Sequence, residues 1–450
     1  MANNFQVGYA RVNITPPLGV NIAGYYQIRI ADGVLDELEA CAVAIKSADK
    51  TAVLITVDHC GLNKVFLNGW RQEIAEKAGI DVEGVYIHST HTHQGPVLIK
   101  NHANPLTAEY EVFLGHKVVD VAIMAIADLK PAKMGIGVGE AKNVAFIRRY
   151  RMKDGSAKTN PGVNNPDIVS SIGETDERVN VIRFDREGGE TVVIGNFGNH
   201  PDVVGGTKIS ADWPGMTRRI VEKCIDNTKC IFFNGAQGDV NHVNVHPKAG
   251  DFNDMFHDFD GCSRGYGHAR HIARVITGAI MSVYDKVEWL ENTELRYANK
   301  IIDVEANKAD PKDLPLAHKY VELHNAGRDD EIPYKAMMLT TVVAAANRMV
   351  RLENGPDTFP MLCSAISIGD VAFFGIPGEP FTGVGRGLKE AEGYKMVLPT
   401  CNTNSKEGYF PMKDSYDEGG YEAGTSSFKA GTAEKLIAEG LKILADLKKQ

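Results

Sequence analysis

No apolar run in the 450-residue sequence approaches the roughly 20 residues that a membrane-spanning helix needs, so no segment reads as a span. Cysteine is scarce and scattered: seven residues, an odd number, with no Cys-x-x-Cys pair. That pattern fits reduced thiols in a cytosolic enzyme better than a disulfide framework. No basic patch stands out beyond Arg148, Arg149 and Arg151, and the net charge is -9, which excludes nucleic acid or an anionic membrane as the main partner. The amino terminus, Met-Ala-Asn-Asn-Phe-Gln, lacks a basic stretch followed by an apolar one, so no secretion signal and a cytoplasmic location are expected. No linker, repeat or low-complexity tract interrupts the chain. One catalytic domain over 1–450 is expected, with 307–353 as a helical excursion that announces no chemistry of its own.

What is present is an ordinary globular composition, 43% hydrophobic and 24% charged. Short β-rich runs alternate with longer helical patterns, which favours an α/β fold. Strands are predicted at 52–57, 84–87, 192–197, 229–233 and 395–398, and a hairpin joins 364–368 to 371–376 through Gly369-Asp370. Helices are predicted at 64–78, 108–128, 214–224, 265–284, 315–325, 333–353 and 432–448. The last places Leu436, Ile437, Leu441, Leu444 and Leu447 on one face.

Polar clusters follow several of these strands. The strand at 84–87 runs into His88-Ser-Thr-His91-Thr-His93-Gln-Gly-Pro, and the strand at 192–197 into Gly198-Asn199-His200-Pro201-Asp202. The strand at 229–233 runs into Asn234-Gly-Ala-Gln237-Gly-Asp239-Val-Asn241-His242, and the hairpin into Pro377-Gly378-Glu379-Pro380. Loops that converge beyond strand ends make one site. His91 and His93, two apart on an extended segment, would share a face and point into one cavity. Neutral imidazole is a good zinc ligand, and Glu379 beside an apolar hairpin needs a partner or a metal. A His-x-His pair also occurs in barrel amidohydrolases and in the metallo-β-lactamase fold. The latter usually continues with an Asp and another His, where Gln94-Gly95-Pro96 stands here.

Five segments then occur in a telling order: Val7-Gly-Tyr-Ala-Arg-Val-Asn-Ile-Thr-Pro-Pro17, Thr90-His-Thr-His-Gln-Gly-Pro96, Gly235-Ala-Gln-Gly-Asp-Val240, Pro377-Gly-Glu379, and Tyr409 through Tyr421-Glu422. Over nearly its whole length the chain resembles the catalytic domain of the neutral/alkaline non-lysosomal ceramidase family. The resemblance implies mixed β-sheets packed centrally with helices around them. It also implies a Zn2+ held by His91, His200, Glu379 and Tyr409. His93 would contact substrate or a developing oxyanion, and Arg148, with Arg149 as the alternative, would sit in the substrate site. The family's serine after Gly-Asp-Val is replaced by Asn241, followed by His242, which undercuts ceramide as the substrate.

These features imply a zinc-dependent hydrolase that uses metal-activated water on an amide, ester or lactone bond of a small polar metabolite. His93 or His242 would donate a proton or stabilise an oxyanion, and Asp239 and Asp212 would orient ligand histidines. A zinc lyase or isomerase acting on a sugar-like compound, and a non-catalytic metal-containing binding protein, are the alternatives. His88 and His257 are left without a role, and His268 and His271, at i and i+3 on a helix, are expected to be structural.

Overall fold

The computed structural model describes residues 5–100, 102–248, 251, 256–258 and 262–449. Its centre is a nine-stranded mixed sheet made of two halves. One half runs Gln6–Asn13, Glu39–Ser47, Lys50–Val57, Val85–Ser89; the other runs Lys130–Glu140, Arg178–Arg186, Thr191–Phe197, Thr228–Asn234, and the ninth strand, Glu288–Leu290, pairs with Lys130–Glu140. They are joined by the short antiparallel pairing of Gln6 and Val7 with Pro131 and Lys130. Both outermost pairs, Lys50–Val57 with Val85–Ser89 and Thr191–Phe197 with Thr228–Asn234, are parallel.

Alternation of side chains divides the two faces, as the pleat of a strand requires. Ala42, Ala44, Val53 and Ile55 point to one side, where helices Lys64–Ala78 and Pro105–Ala127 cover them. Val43, Ile45, Ala52 and Leu54 point to the other and meet a second sheet. On the other half, helices Asp212–Cys224 and Tyr266–Tyr284 bury Val181, Val193, Cys230 and Phe232. The second sheet has four strands, Leu295–Glu305, Thr358–Ile368, Val371–Gly375 and Met396–Thr400. Its outer face is closed by helix Thr382–Leu388 and by Thr432–Lys449, which buries Leu436, Leu444 and Leu447. The result is four layers, helix, sheet, sheet and helix, with apolar cores between them.

The expected hairpin is present, with Ile368 paired to Val371 and Gly369 at φ 57. Several strands were not expected. Lys130–Glu140 carries three glycines that mask a strand pattern, and Arg178–Arg186 alternates Arg, Asn and Asp with its apolar residues. In the 307–353 region, helices Leu314–Asn325 and Ala336–Glu353 pack on each other. Arg348 Nε of the second donates to Gly424 O (2.9 Å), fastening it beside the short helix Tyr421–Thr425.

Candidate metal centre

The strand Val85–Ser89 ends before the first of the paired histidines, so β alternation does not aim them. His91 instead adopts a left-handed backbone, φ 75, unusual for a side-chain-bearing residue and characteristic of strained functional positions. Its loop is held by Thr90 N–H on Val57 O and His91 N–H on His59 O, both 2.9 Å. Beneath it Arg218, fully buried, forms a bidentate pair with Asp58 (2.9 and 2.5 Å), and Asp58 also accepts from the Thr90 hydroxyl (3.1 Å).

Asn234, the last residue of its strand, ties the converging loops together. Its N–H donates to His88 Nε2 (3.0 Å), its side-chain amide to Thr90 O (3.3 Å), and its Oδ1 accepts from Asn199 N–H (3.3 Å). Its carbonyl accepts from Cys401 N–H (3.1 Å). His88 donates through Nδ1 to Cys401 O (2.7 Å), so this histidine is structural. Burial lowers its pKa to about 3, which keeps the ring neutral for both bonds.

Two imidazoles are oriented alike. The His91 Nδ1 side faces Cys60 O, and His200 Nδ1 donates to Gln237 O (3.1 Å). Both Nε2 atoms therefore turn inward, 3.2 Å apart, with Glu379 Oε2 at 3.2 Å from the first and 3.7 Å from the second. Pinning the outer ring nitrogen on a carbonyl is how proteins fix a metal-binding tautomer. All three side chains are buried. Burial opposes charge on each, yet Glu379 and Cys60 lift His91 to about 10, whereas burial, Arg148 and His91 draw His200 down to about 3. Two nitrogens with one carboxylate form a donor group that could hold a metal ion.

Glu379 and Tyr409 arrive together, because Glu379–Pro380 and Tyr409–Phe410 pair in parallel. Gly378 permits this approach: a Cβ there would lie 2.4 Å from Gly408 O. Tyr409 lines the same cavity as His91, His93 and Glu379, and its hydroxyl accepts from Arg148 Nη2 (3.2 Å). Arg148 is otherwise held by Glu422 (2.7 Å) and Gly238 O (2.8 Å), and its Nη1 has no hydrogen-bond partner among the described residues. Arg149 turns away, to Ser415 (2.8 Å) and Glu418 (3.2 Å). His93 Nε2 lies 3.2 Å from His91 Nε2, and burial, with His91 and His200 beside it, holds its pKa well below the ordinary imidazole value.

Two lobes meet at the cluster. The larger, about 290 Å³, is lined by Cys60, His91, His93, Glu379, Lys406 and Tyr409. The smaller, about 70 Å³, is lined by Arg148, Asn160, His200, Asp202, Arg264 and Met337 among others. Gly24, Tyr25, Tyr26 and Tyr421 border both.

Other expected residues stand behind these walls. Asn241 Nδ2 donates to Asn160 Oδ1 (2.9 Å) and so supports a lining residue. His242 lies behind Asp202 (3.5 Å) with Nε2 donating to Ser263 O (2.5 Å). Asp239 touches neither His91 nor His200; it accepts from Thr382 N–H (2.7 Å) and the Thr382 hydroxyl (2.9 Å), anchoring the helix that follows Glu379. Asp212 accepts from Val204 N–H (2.9 Å) and Trp213 N–H (2.6 Å), likewise apart from the histidines. His268 is buried with its ring 5.7 Å from that of His242, His271 is exposed, and the His257 side chain lies outside the described residues. Cys60, Lys406 and Arg264 were not singled out from the sequence. Each is a single residue in an unremarkable context, and only the fold gathers them.

The whole architecture, superposed on solved structures, matches a neutral ceramidase from Pseudomonas aeruginosa with a TM-score of 0.73. The chain is neutral-ceramidase-like in fold. The match covers 99% of this chain and 75% of that one at 18% sequence identity. A structure described as ceramidase complexed with C2 matches with a TM-score of 0.72 at 17% identity and the same coverage. No protein-family model matches the chain, and no curated protein matches it by sequence. The ceramidase-like fold accounts for the mixed central sheets and surrounding helices. At this identity it speaks for architecture, and chemistry has to be argued from the side chains.

Proposed function

We propose that the protein is a zinc-dependent hydrolase that cleaves an amide, ester or lactone bond in a small polar metabolite. The observation that carries this reading is the convergence of His91 Nε2, His200 Nε2 and Glu379 Oε2 within 3.7 Å of His200 Nε2, with both histidines turned inward by backbone carbonyls. Those three residues, with the Tyr409 hydroxyl at the same cavity, would hold the ion. When bound, zinc supplies Lewis acidity, which makes water a better acid and polarises a carbonyl.

The chain's own groups divide the remaining work. Arg148 lines the smaller lobe, where its guanidinium suits an oxygen that gains negative charge. His93, kept neutral by burial and its histidine neighbours, suits a hydrogen bond to the substrate or to a developing oxyanion. Tyr25, Tyr26 and Tyr421 wall the lobes. Asn241 bears no nucleophile and is occupied with Asn160, so the scheme relies on activated water rather than on a side chain at that position. Lobes of about 290 and 70 Å³, walled by tyrosines and charged groups, suit a compact polar substrate better than a long acyl chain.

The test is to measure metal content of the purified protein and turnover on a panel of small amides, esters and lactones, with products weighed by mass spectrometry. Zinc near one per chain, products that have gained water, and loss of both metal and turnover in His91→Ala are expected. A product of unchanged mass would point to an isomerase instead. Undiminished metal and turnover in His91→Ala would reject the ligand assignment.

A further inference from the structure

The larger lobe contains a charge for which the hydrolytic scheme has no use. Lys406 lines it together with His91, His93 and Glu379. The ammonium makes one hydrogen bond to a protein atom, to Cys60 Sγ at 3.6 Å, and forms no ion pair with any described residue. Sulfur is a weaker hydrogen-bond acceptor than a carboxylate oxygen, so this one contact leaves the other ammonium protons available to an incoming anion. Glu379, on the same wall, is already engaged by His91 and His200. Lys406 is half-buried and has no carboxylate partner among the described residues, so its ammonium retains the capacity to bind an anion that enters the lobe.

The placement is built into the backbone. Gly61, at φ 156, leaves open the space along which the Lys406 stem lies, and a Cβ there would sit 2.4 Å from Lys406 Cδ. The stem is thereby laid against the Cys60–Gly61 turn, with its head beside the cluster. Tyr26 and Tyr421 border the same lobe.

We propose that Lys406 is the anion-recognition residue of this cavity, and that the substrate carries a carboxylate close to the bond that is cleaved. This rests on the hydrolase reading and narrows its substrate class. One ammonium bordered by phenols matches a singly charged carboxylate; a phosphate group would call for more cations. The carboxylate would occupy the Lys406 lobe, while the scissile carbonyl lies between the cluster and Arg148.

The experiment compares binding of benzoylglycine with that of its uncharged amide, benzoylglycinamide, by calorimetric titration. It uses chelator-treated protein, so that neither turnover nor direct binding to metal enters. Wild type should prefer the carboxylate by about tenfold, the size of one charge-assisted hydrogen bond. Lys406→Met and Lys406→Gln should bring the ratio near one, Lys406→Arg should retain most of it, and Cys60→Ala should keep it. Equal binding of the two probes by wild type would overturn the proposal. So would a preference that survives Lys406→Met, or one that disappears in Cys60→Ala. Metal content and turnover are measured separately, so a failed hydrolase reading would leave this binding ratio intact.

Discussion

The floor and the roof of the cavity are built on opposite principles. On the floor, His91, His200 and Glu379 are at most 5% exposed and sit on loops laced by main-chain hydrogen bonds and by Asn234. On the roof, Tyr26 is 47% exposed, and Ile28, two residues on, is 82% exposed. Main-chain lacing fixes the positions where reacting groups must be exact to a fraction of an ångström, whereas exposed side chains can adapt to what enters. Floor substitutions should therefore damage chemistry or folding, and roof substitutions should change selectivity while the fold stands.

The largest expected effect is at the cluster. His200→Ala and Glu379→Gln should each lower metal affinity and turnover by at least about a hundredfold. Metal analysis and steady-state kinetics check this, and a thermal midpoint close to wild type would separate it from unfolding. Next is Arg218→Met, which leaves the Asp58 carboxylate buried and unpaired beneath the His91 loop. A loss of about 3–5 kcal/mol in urea unfolding is expected, because breaking one side of a buried pair strands the other charge. Asn234→Ala removes the side-chain bonds to Thr90 and Asn199 and should lower stability by about 1–3 kcal/mol, with metal affinity weakened alongside it.

A pH experiment sharpens the contrast. Asp239 is raised from 3.8 to about 6, chiefly by burial and against the pull of its bonds from Thr382. An acid lifted in the folded state adds most to stability below pH 3.8, and that contribution is lost as the pH climbs towards 6. Asp239→Asn should therefore flatten the slope of unfolding free energy between those limits by up to about 3 kcal/mol, as read from urea curves across the range. Smallest is Tyr26→Phe on the roof, expected within about 0.5 kcal/mol of wild type in stability and to act mainly on KM.

Much of the floor was legible in the sequence, because strands that end in His, Asn and Glu break their apolar pattern abruptly at His88, Asn199, Asn234 and Glu379. The reason offered for His91 and His93 was different from the one realised. Pleat alternation was expected to align them, but a left-handed turn at His91 does so. Helices with clear apolar spacing, such as Thr432–Lys449, were equally legible, whereas Thr382–Leu388 was concealed by three glycines in seven residues. Lys406 was opaque for a simpler reason. An isolated charge in a polar loop has no periodicity, and its meaning comes only from what the chain folds against it.

The parallel pairing of Glu379–Pro380 with Tyr409–Phe410 has a consequence for how this protein can vary. A slip by one residue would bring Gly408 or Phe410 to the place opposite Glu379 and withdraw the phenol. What resists that slip is Phe410, fully buried and stacked on Phe428 with ring centroids 4.9 Å apart. Insertions or deletions between 381 and 408 can thus be absorbed only if that stack survives. The alignment of a polar, reactive edge is governed by a greasy latch on the far side of the same backbone.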